Sequence, residues 1–195
     1  MIIEGLVTTV GPAGACHVAP MGPRFENSEW DDSFELAPFQ GSATLRHLVE
    51  HPEGVFHLDD RVMLFAQLIV GGWGGPVCSA AEVVAGWVVQ GVCRAVEFRV
   101  EGQDLSGMRS CLSCRVMRRH EYRAMSGFNR AKHAVVEAAI LASRRHMIQR
   151  GELESRLADL YPLVSKTGGS EELQAFALLR SYALAGDQVN RQVAQ

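Results

Sequence analysis

Three short stretches carry residue types that are suited to binding a phosphorylated or planar ligand. The first is Gly41-Ser42-Ala43-Thr44, which stands at the predicted start of a helix over ATLRHLVEH. The N–H groups of a helix start and the positive end of its dipole attract phosphate, and the Ser42 and Thr44 hydroxyls would add donors. An ordinary N-cap at Ser42 is the alternative explanation of the same residues.

The second stretch, GACHVAPMG at 14–22, ends a predicted strand in residues that continue strands poorly. Pro20 has no N–H to donate, and Gly22 permits another group to approach the backbone closely. Such an end suits a sheet edge that faces a planar cofactor rather than another strand. A simple strand end at a bend is the alternative.

The third stretch is GFNRAKHAVVEAAILASRR at 127–145, a predicted amphipathic helix. Its opening residues Asn129, Arg130, Lys132 and His133 bring several donors to one end, where they can reach an anionic ligand or a partner subunit. A basic first turn opposes the helix dipole, so an anion or acidic group is expected to compensate it. A solvated basic face is the alternative.

Other residues with chemical potential have simpler explanations. Cys111 and Cys114 have the spacing of a redox or zinc pair, but in a predicted strand positions i and i+3 point to opposite faces. Packed thiols are therefore predicted, and no metal site. The chain shows no Ser/Cys–His–acid pattern, so solvated or core-bonded side chains are predicted for the candidate acid–base histidines His17, His57, His133 and His146.

Composition narrows the class of protein. The 195 residues are 47 % hydrophobic and 21 % charged, which allows one or two globular domains with a proper core. The net charge of −3 gives no polyanion-binding signature, so nucleic acid is not an expected partner. No run reaches membrane-helix length, the first residues do not resemble a secretory signal, and five scattered cysteines fit reduced thiols in a cytoplasm.

The elements that must position these stretches follow from the hydrophobic pattern. A β-hairpin is predicted from residues 2–10 and 15–21, and further strands are predicted up to about residue 120. The apolar run 61–70 fits either a helix or a strand. From Phe128 the period becomes helical, with further helices predicted over 151–165 and 171–185 and a Ser N-cap at residue 170. The predicted domains are therefore residues 1–125, mainly β, and residues 126–195, helical.

In this order, the stretches resemble the family catalogued as domain-of-unknown-function family four-four-seven. The matching segments span residue 2 to about residue 180, and they are IIEGLVTTV, CHVAPMG, LAPFQGSATLRHL, the strand from Cys93 to Val100, GFNRAKHAVVEAAILASR and the VSKTGG turn. The helix motif is long and specific, whereas the hairpin motif by itself is weak.

The resemblance implies a fold, a cofactor and an assembly. The fold is mainly β with α, an FMN-binding split β-barrel of the flavin-reductase-like group followed by a C-terminal helical region, in a homodimer. Residues 18–22 would lie along the isoalloxazine ring, and residues 41–44 would hold the phosphate. The expected FMN-binding residues are Val18, Ala19, Pro20, Met21, Gly22, Gly41, Ser42, Thr44 and Lys132. His17, Asn129 and Arg130 are the candidates for catalytic contact with the substrate or the flavin edge.

The chain departs from the family pattern at five positions. A basic residue is expected at Gln40 and at Ala43, an Asn at His47, and an aromatic pair at Ala95 and Val96. Arg24, Arg46 and Lys132 are candidates to replace the missing basic residues.

The function that follows is an FMN-binding flavoprotein, an oxidoreductase of the flavin-reductase-like split-barrel group with an unknown small-molecule substrate. A flavin-binding module without turnover is one alternative. A structural homodimer that has lost its cofactor is another, and the residues at positions 40 and 43 motivate it.

Overall fold

The computed structural model describes residues 1–28, 30–107 and 109–185. They form two compact units. The first contains Met1–Asp60 and Gly74–Met125, and the second contains Arg61–Trp73 and the described residues from Ser126 onward.

The first unit consists mainly of antiparallel strands. Six of them form one sheet in the order β2-β1-β4-β7-β8-β3, and two more form a separate β5-β6 hairpin. The strands are β1 (Leu6–Val10), β2 (Cys16–Pro20), β3 (Ser33–Leu36), β4 (Glu53–Leu58), β5 (Cys78–Ala80), β6 (Trp87–Val89), β7 (Arg94–Asp104) and β8 (Cys111–Glu121). Among its described residues the unit has one α-helix, α1 (Ala43–Glu50), and a 3-10 turn, Pro12–Gly14, joins β1 to β2.

The large sheet closes into a barrel through the chain's first residues. Ile2 forms a bridge with Arg24, and Arg24 forms a bridge with Glu35 in β3. Because Ile2 leads directly into β1, these bridges connect the β3 edge back to β1 and complete a ring through β4, β7 and β8. Strand β2 lies outside this ring and pairs with β1.

Aromatic side chains fill the barrel. Phe25, Phe34, Phe56 and Phe98 are at most 4 % exposed, and neighbouring ring centroids lie 5.3 to 6.4 Å apart. Leu45 and Leu48 of α1 belong to the same apolar cluster. Apolar burial therefore holds α1 against the barrel, and this contact positions the start of the helix.

A buried carboxylate anchors the turn of the β5-β6 hairpin. Glu97 in β7 is fully buried and accepts N–H groups from Glu82, Val83 and Val84 at 2.7 to 3.0 Å. The Nε2–H of His120 donates to the same carboxylate at 2.7 Å. Burial by itself disfavours the ionised form, but these four donors outweigh it and hold the pKa of Glu97 below its usual value.

His57 is a buried histidine whose hydrogen bonds define its neutral form. Nε2 accepts the N–H of Val89 at 3.2 Å, so the proton lies on Nδ1, which contacts the Leu6 carbonyl at 3.3 Å. Burial is the main cause that lowers the pKa of His57 to about 4. Between its ordinary pKa of 6.5 and its pKa of about 4 in the folded protein, His57 is therefore protonated in the unfolded chain and neutral in the folded chain.

Because of His57, we expect the free energy of unfolding to fall by about 3 kcal/mol as the pH drops from 6.5 to 4. Urea titrations across this range measure the loss, and the ring NMR resonances of His57, assigned with the His57→Gln variant, should remain those of neutral imidazole at pH 5. Protonation of His57 near pH 6.5 in the folded protein would contradict this expectation.

The described residues of the second unit form a bundle of four helices. They are α2 (Val62–Val70), α3 (Arg130–Ser143), α4 (Arg150–Thr167) and α5 (Ser170–Leu184). The predicted apolar face of α3 is confirmed as core, and its buried residues include Ala131, Ala134, Val135, Ala138, Leu141 and Ala142. No helix of the described residues is long and apolar enough to cross a membrane.

The run 61–70, whose pattern fits either a helix or a strand, forms α2, which packs on α3 and α5 in the second unit. A segment that is apolar on all sides is typical of a helix inside a core, and strand and helix patterns look alike in such a run. The N-cap of α5 is Gly169 rather than Ser170, because the Glu172 carboxylate accepts the Gly169 N–H at 2.8 Å.

Candidate functional site

The start of α1 has the arrangement that the sequence predicts. Ser42 is the N-cap, and its hydroxyl oxygen accepts the Leu45 N–H at 3.2 Å. An accepting hydroxyl keeps its own hydrogen, so Ser42 can still donate to a ligand. Gly41 has φ +75°, a left-handed conformation that favours glycine, and it turns the chain into the helix. The first-turn N–H groups have no acceptor inside the helix.

A cation lies beside this helix start although the two expected basic residues are missing. Arg46 is exposed, and its Nη1 donates to the Gly41 carbonyl at 2.7 Å. Gln40 has a different use, because its Nε2 donates to the carbonyls of Leu105 and Gly107 at 2.8 and 3.0 Å. The charge of Arg46 thus adds to the positive end of the dipole.

Strand β2 presents a row of backbone groups at the edge of the sheet. Among the described residues its strand partner is β1 alone. The Met21 N–H donates to the Gly5 carbonyl at 3.0 Å, so the backbone groups of residue 21 point toward the β1 side. Because this direction alternates along an antiparallel strand, the N–H and C=O of Val18 and the C=O of Pro20 point to the open edge.

The chain itself accounts for Gly22. A Cβ at this position would lie 2.7 Å from Cγ2 of Ile2 and 3.2 Å from the carbonyl oxygen of Ile3. The N-terminal segment therefore lies against Gly22 on the side where a Cβ would stand. Contact of Gly22 with FMN stays a prediction.

Two Thr–His pairs connect α1 to the β1-β2 hairpin. Thr9 Oγ1 lies 3.0 Å from His47 Nδ1, and Thr44 Oγ1 lies 3.3 Å from His17 Nε2. The two imidazole rings meet edge to face at 5.0 Å between centroids. We call these four residues the Thr–His quartet. It brings the open edge of β2 and the start of α1 next to each other, as the combined site requires.

The contacts within the quartet affect two of the predicted site residues, Thr44 and His17. Thr44 is 3 % exposed and its hydroxyl already has a protein partner, so its contact with a phosphate stays a prediction. His17 is half-buried, and burial together with the neighbouring His47 and Arg46 lowers its pKa. His17 is therefore neutral at pH 7.

Sequence reasoning missed the roles of Thr9 and His47. Both are buried, and one signal for each was available. Thr44 and His47 are three residues apart in a predicted helix and so share a face. Thr9 lies directly opposite His17 in the hairpin register. The four residues form one hydrogen-bonded cluster only because α1 packs on the β1-β2 hairpin.

The candidates from the predicted helix near residue 129 belong to the second unit. Asn129 caps α3, because its Oδ1 accepts two first-turn N–H groups at 2.8 and 3.1 Å, and its Nδ2 donates to the Thr167 carbonyl at 3.1 Å. These bonds give Asn129 a structural role at the ends of two helices. Lys132 Nζ lies 3.1 Å from Ser126 Oγ, and Arg130 is exposed. Contacts of the last two with a ligand stay predictions.

The remaining candidate positions lie in or near the sheet. Cys114 is buried in the barrel core, where burial raises the pKa of its thiol, so it is a packed thiol as predicted. Ala95 and Val96 are buried in β7. Arg24 lies 3.9 Å from the carboxylate of Glu35, with both side chains exposed.

One cluster of side chains has groups that could bind a metal ion, but the positive charge beside it belongs to an arginine. Asp59, Asp60 and Cys93 form the one such cluster found among the described residues. Nη2 of Arg123 donates to the carboxylates of Asp59 and Asp60 at 2.8 and 2.6 Å. This cluster is therefore an ion pair that fixes the chain after β4 to the chain after β8.

Solved structures share this fold over different lengths of the chain. The FMN-bound protein MM1853 from Methanosarcina mazei is 18 % identical, with a TM-score of 0.79 over 93 % of this chain and 94 % of that chain. Component B of nitrilotriacetate monooxygenase from Bacillus cereus is 18 % identical, with a TM-score of 0.53 over 64 % of this chain and 71 % of that chain. The 2-nitrobenzoate 2-nitroreductase NbaA from Pseudomonas fluorescens is 18 % identical, with a TM-score of 0.52 over 61 % of this chain and 64 % of that chain.

These likenesses confirm the predicted fold, a split β-barrel of the flavin-reductase-like type followed by a helical region. No curated protein matches the chain. Two family models do match it: "Protein of unknown function (DUF447) N-terminal domain" over residues 3–123 and "Protein of unknown function (DUF447)" over residues 129–181. Since together they cover most of the sequence, the chain belongs to the DUF447 family.

Proposed function

We propose that this protein is an FMN-binding flavoprotein and an oxidoreductase of the flavin-reductase-like group. The observation that carries the proposal is the Thr–His quartet, which places an anion-binding helix start beside an open strand edge. FMN has the matching parts, a phosphate dianion and a flat ring with a polar edge. The FMN-bound relative from Methanosarcina mazei supports the same cofactor for this chain.

The helix start suits the phosphate. The hydroxyl of Ser42, the first-turn N–H groups of Ala43 and Thr44 and the guanidinium of Arg46 supply neutral and charged donors within one turn of helix. Charge-assisted hydrogen bonds of this kind are the stronger class, and the dipole of α1 adds to them. The site thus fits a phosphate without the basic residues expected at positions 40 and 43.

The open edge of β2 suits the ring. A flat ring lying along Val18 to Met21 would meet the outward N–H and C=O of Val18 and the outward C=O of Pro20. Along the strand these groups offer one donor followed by two acceptors, which can pair with acceptor and donor atoms of a pyrimidine edge. The four residues concerned are only half-buried in the protein, so a ring placed there would remove apolar surface from water.

The protein's own contribution to the chemistry is position and environment. Bound FMN supplies hydride or electron transfer. His17 is held in its neutral form and fixed by Thr44, so it can hold or accept a proton beside the ring-binding strand. The substrate follows from neither the fold nor these residues.

A flavin-binding module without turnover is the second candidate. One observation favours it: the side chain of Asn129, a candidate catalytic residue, caps α3 and binds the Thr167 carbonyl. In this form the protein would store or carry the flavin for another enzyme.

An absorbance spectrum of purified protein, with and without added FMN, tests the proposal. We expect a flavin band that survives gel filtration and saturates at one FMN per chain. Bleaching of that band by NADH or NADPH supports the oxidoreductase, whereas bound FMN that neither donor reduces supports the module. Well-folded protein that shows no saturable binding would exclude both.

We also propose that the protein acts as a cytoplasmic homodimer. Phe128 is fully exposed in the single chain, which supports burial against a second copy. Light scattering should then give twice the chain mass of 21.3 kDa. A monomer at micromolar concentration would contradict this assembly.

A further inference from the structure

Two free thiols face each other beside the candidate site. Cys16 Sγ in β2 lies 3.2 Å from Cys78 Sγ in β5, although 62 positions separate them in the sequence. A disulfide bond is roughly 2.05 Å long, so the two sulfur atoms need to approach by only about 1 Å. No other pair of the five cysteines has a sulfur–sulfur contact in the described residues.

The backbone places this pair between two strands that belong to different sheets. Strand β2 is the end strand of the large sheet, and β5 pairs only with β6 among the described residues. Cys16 is the first residue of β2 and Cys78 the first of β5. Cys16 is exposed and Cys78 is half-buried, so solvent and small reagents reach the pair. Cys93 and Cys114, in contrast, are buried.

The two thiols share one hydrogen bond, which makes them unequal. Cys16 donates to Cys78, and this bond lowers the pKa of the Cys78 thiol because it stabilises the thiolate. The same contact raises the pKa of Cys16, because deprotonation of Cys16 would remove the bond and place a second negative charge nearby. This division of roles is typical of an attacking thiol and a resolving thiol.

We propose that Cys16 and Cys78 form a reversible redox-active dithiol that closes to a disulfide by exchange with a low-molecular-weight disulfide. The Cys78 thiolate attacks one sulfur of that reagent, forms a mixed disulfide and releases the first small thiolate, which takes the Cys16 proton. The Cys16 thiolate then attacks the Cys78 sulfur and releases the second small thiolate, which takes from solvent the proton that Cys78 lost on ionising. Two protein thiols are oxidised, and one small disulfide is reduced to two thiols.

The closed form adds a covalent bond between two hairpins that already meet where Nε1–H of Trp87 in β6 donates to the Gly14 carbonyl at 3.2 Å. The link would fix the open edge of β2 to the β5-β6 hairpin, at the residue next to His17 of the Thr–His quartet. Transient disulfides of this type are the usual ones in reducing compartments, where they sense the redox state. The dithiol therefore gives the protein a redox-dependent constraint at the strand that we propose for the flavin ring.

Incubation of the full-length protein with oxidised glutathione tests this proposal. We expect two of the five thiols to become resistant to alkylation, peptide mapping to show a Cys16–Cys78 cross-link, and dithiothreitol to restore all five. The matched control Cys111→Ser, which removes another half-buried thiol, should form the same cross-link. Stable glutathione adducts without the cross-link, or no reaction at either residue, would overturn the proposal.

Single variants distinguish the attacking from the resolving thiol. Cys16→Ser should accumulate a glutathione adduct on Cys78, whereas Cys78→Ser should acquire an adduct on Cys16 at least ~10-fold more slowly. Equal rates would overturn the assignment of Cys78 as the attacking thiol. All these measurements use protein without added FMN, so failure of flavin binding would leave their outcome unchanged.

Discussion

The Ala43→Glu variant should bind FMN roughly 1,000-fold more weakly than the original protein while remaining folded. Ala43 is the first residue of α1, and a carboxylate there would face the phosphate. Replacing attraction by repulsion removes charge-assisted bonds worth about 1.5 to 3 kcal/mol each. The same carboxylate is favourable for the helix dipole, so a loss of binding cannot be attributed to unfolding of α1.

Titration calorimetry with FMN and with riboflavin measures this effect separately from ring binding. Riboflavin lacks the phosphate, so its affinity should change by less than about threefold in the variant. Val49→Glu is the matched control, because Val49 is exposed near the other end of α1 and receives the same charge. Unchanged FMN affinity in folded Ala43→Glu protein would show that the phosphate does not lie at this helix start.

The Glu97→Ala variant should lower the free energy of unfolding by about 4 kcal/mol. Its carboxylate is fully buried and accepts three N–H groups from residues 82–84 as well as the Nε2–H of His120. Truncation leaves these donors buried without an acceptor, which costs more than the carboxylate's own packing. Urea denaturation at pH 7 measures the loss.

The pH dependence of this variant gives an independent check. Because the pKa of Glu97 is lowered in the folded state, its stabilising effect is present above its ordinary pKa of 4.5 and is lost as the pH falls below that value. Glu97→Ala should therefore lose less stability than the original protein on acidification below pH 4.5.

An exposed carboxylate provides the matched control. Glu101 lies 3.8 Å from Arg115, with both side chains more than half exposed, so Glu101→Ala should change the free energy of unfolding by less than about 1 kcal/mol. A similar loss in the Glu97 and Glu101 variants would contradict the anchoring role of Glu97.

Local features of the fold followed directly from the sequence. The cap at Ser42 and the apolar face of α3 depend on residues within one or two turns, so pattern and side-chain chemistry suffice to predict them. The β1-β2 hairpin similarly follows from its turn residues. The segment 61–70 could not be assigned in this way, because a uniformly apolar run contains no period that separates a buried strand from a buried helix.

The candidate site was predicted in fragments rather than as a whole. The helix start and the edge strand were both identified. Asn129, a candidate for contact with the substrate or flavin edge, caps α3, and that contact stays a prediction. Gly22 was associated with a flat ligand, and the chain's own N-terminal segment lies against it. The segment that contacts Gly22 and the Thr167 carbonyl that binds Asn129 both come from distant parts of the sequence, where local patterns carry no information.

The sequence by itself determined the family, the two kinds of secondary structure and the residues able to bind a phosphate, because these depend on local composition and spacing. The tertiary structure decided how they combine. It paired Thr9 with His47 and His17 with Thr44, and it brought Cys16 to Cys78. These contacts join residues that are far apart in the chain, and only packing of the hydrophobic core fixes their distances.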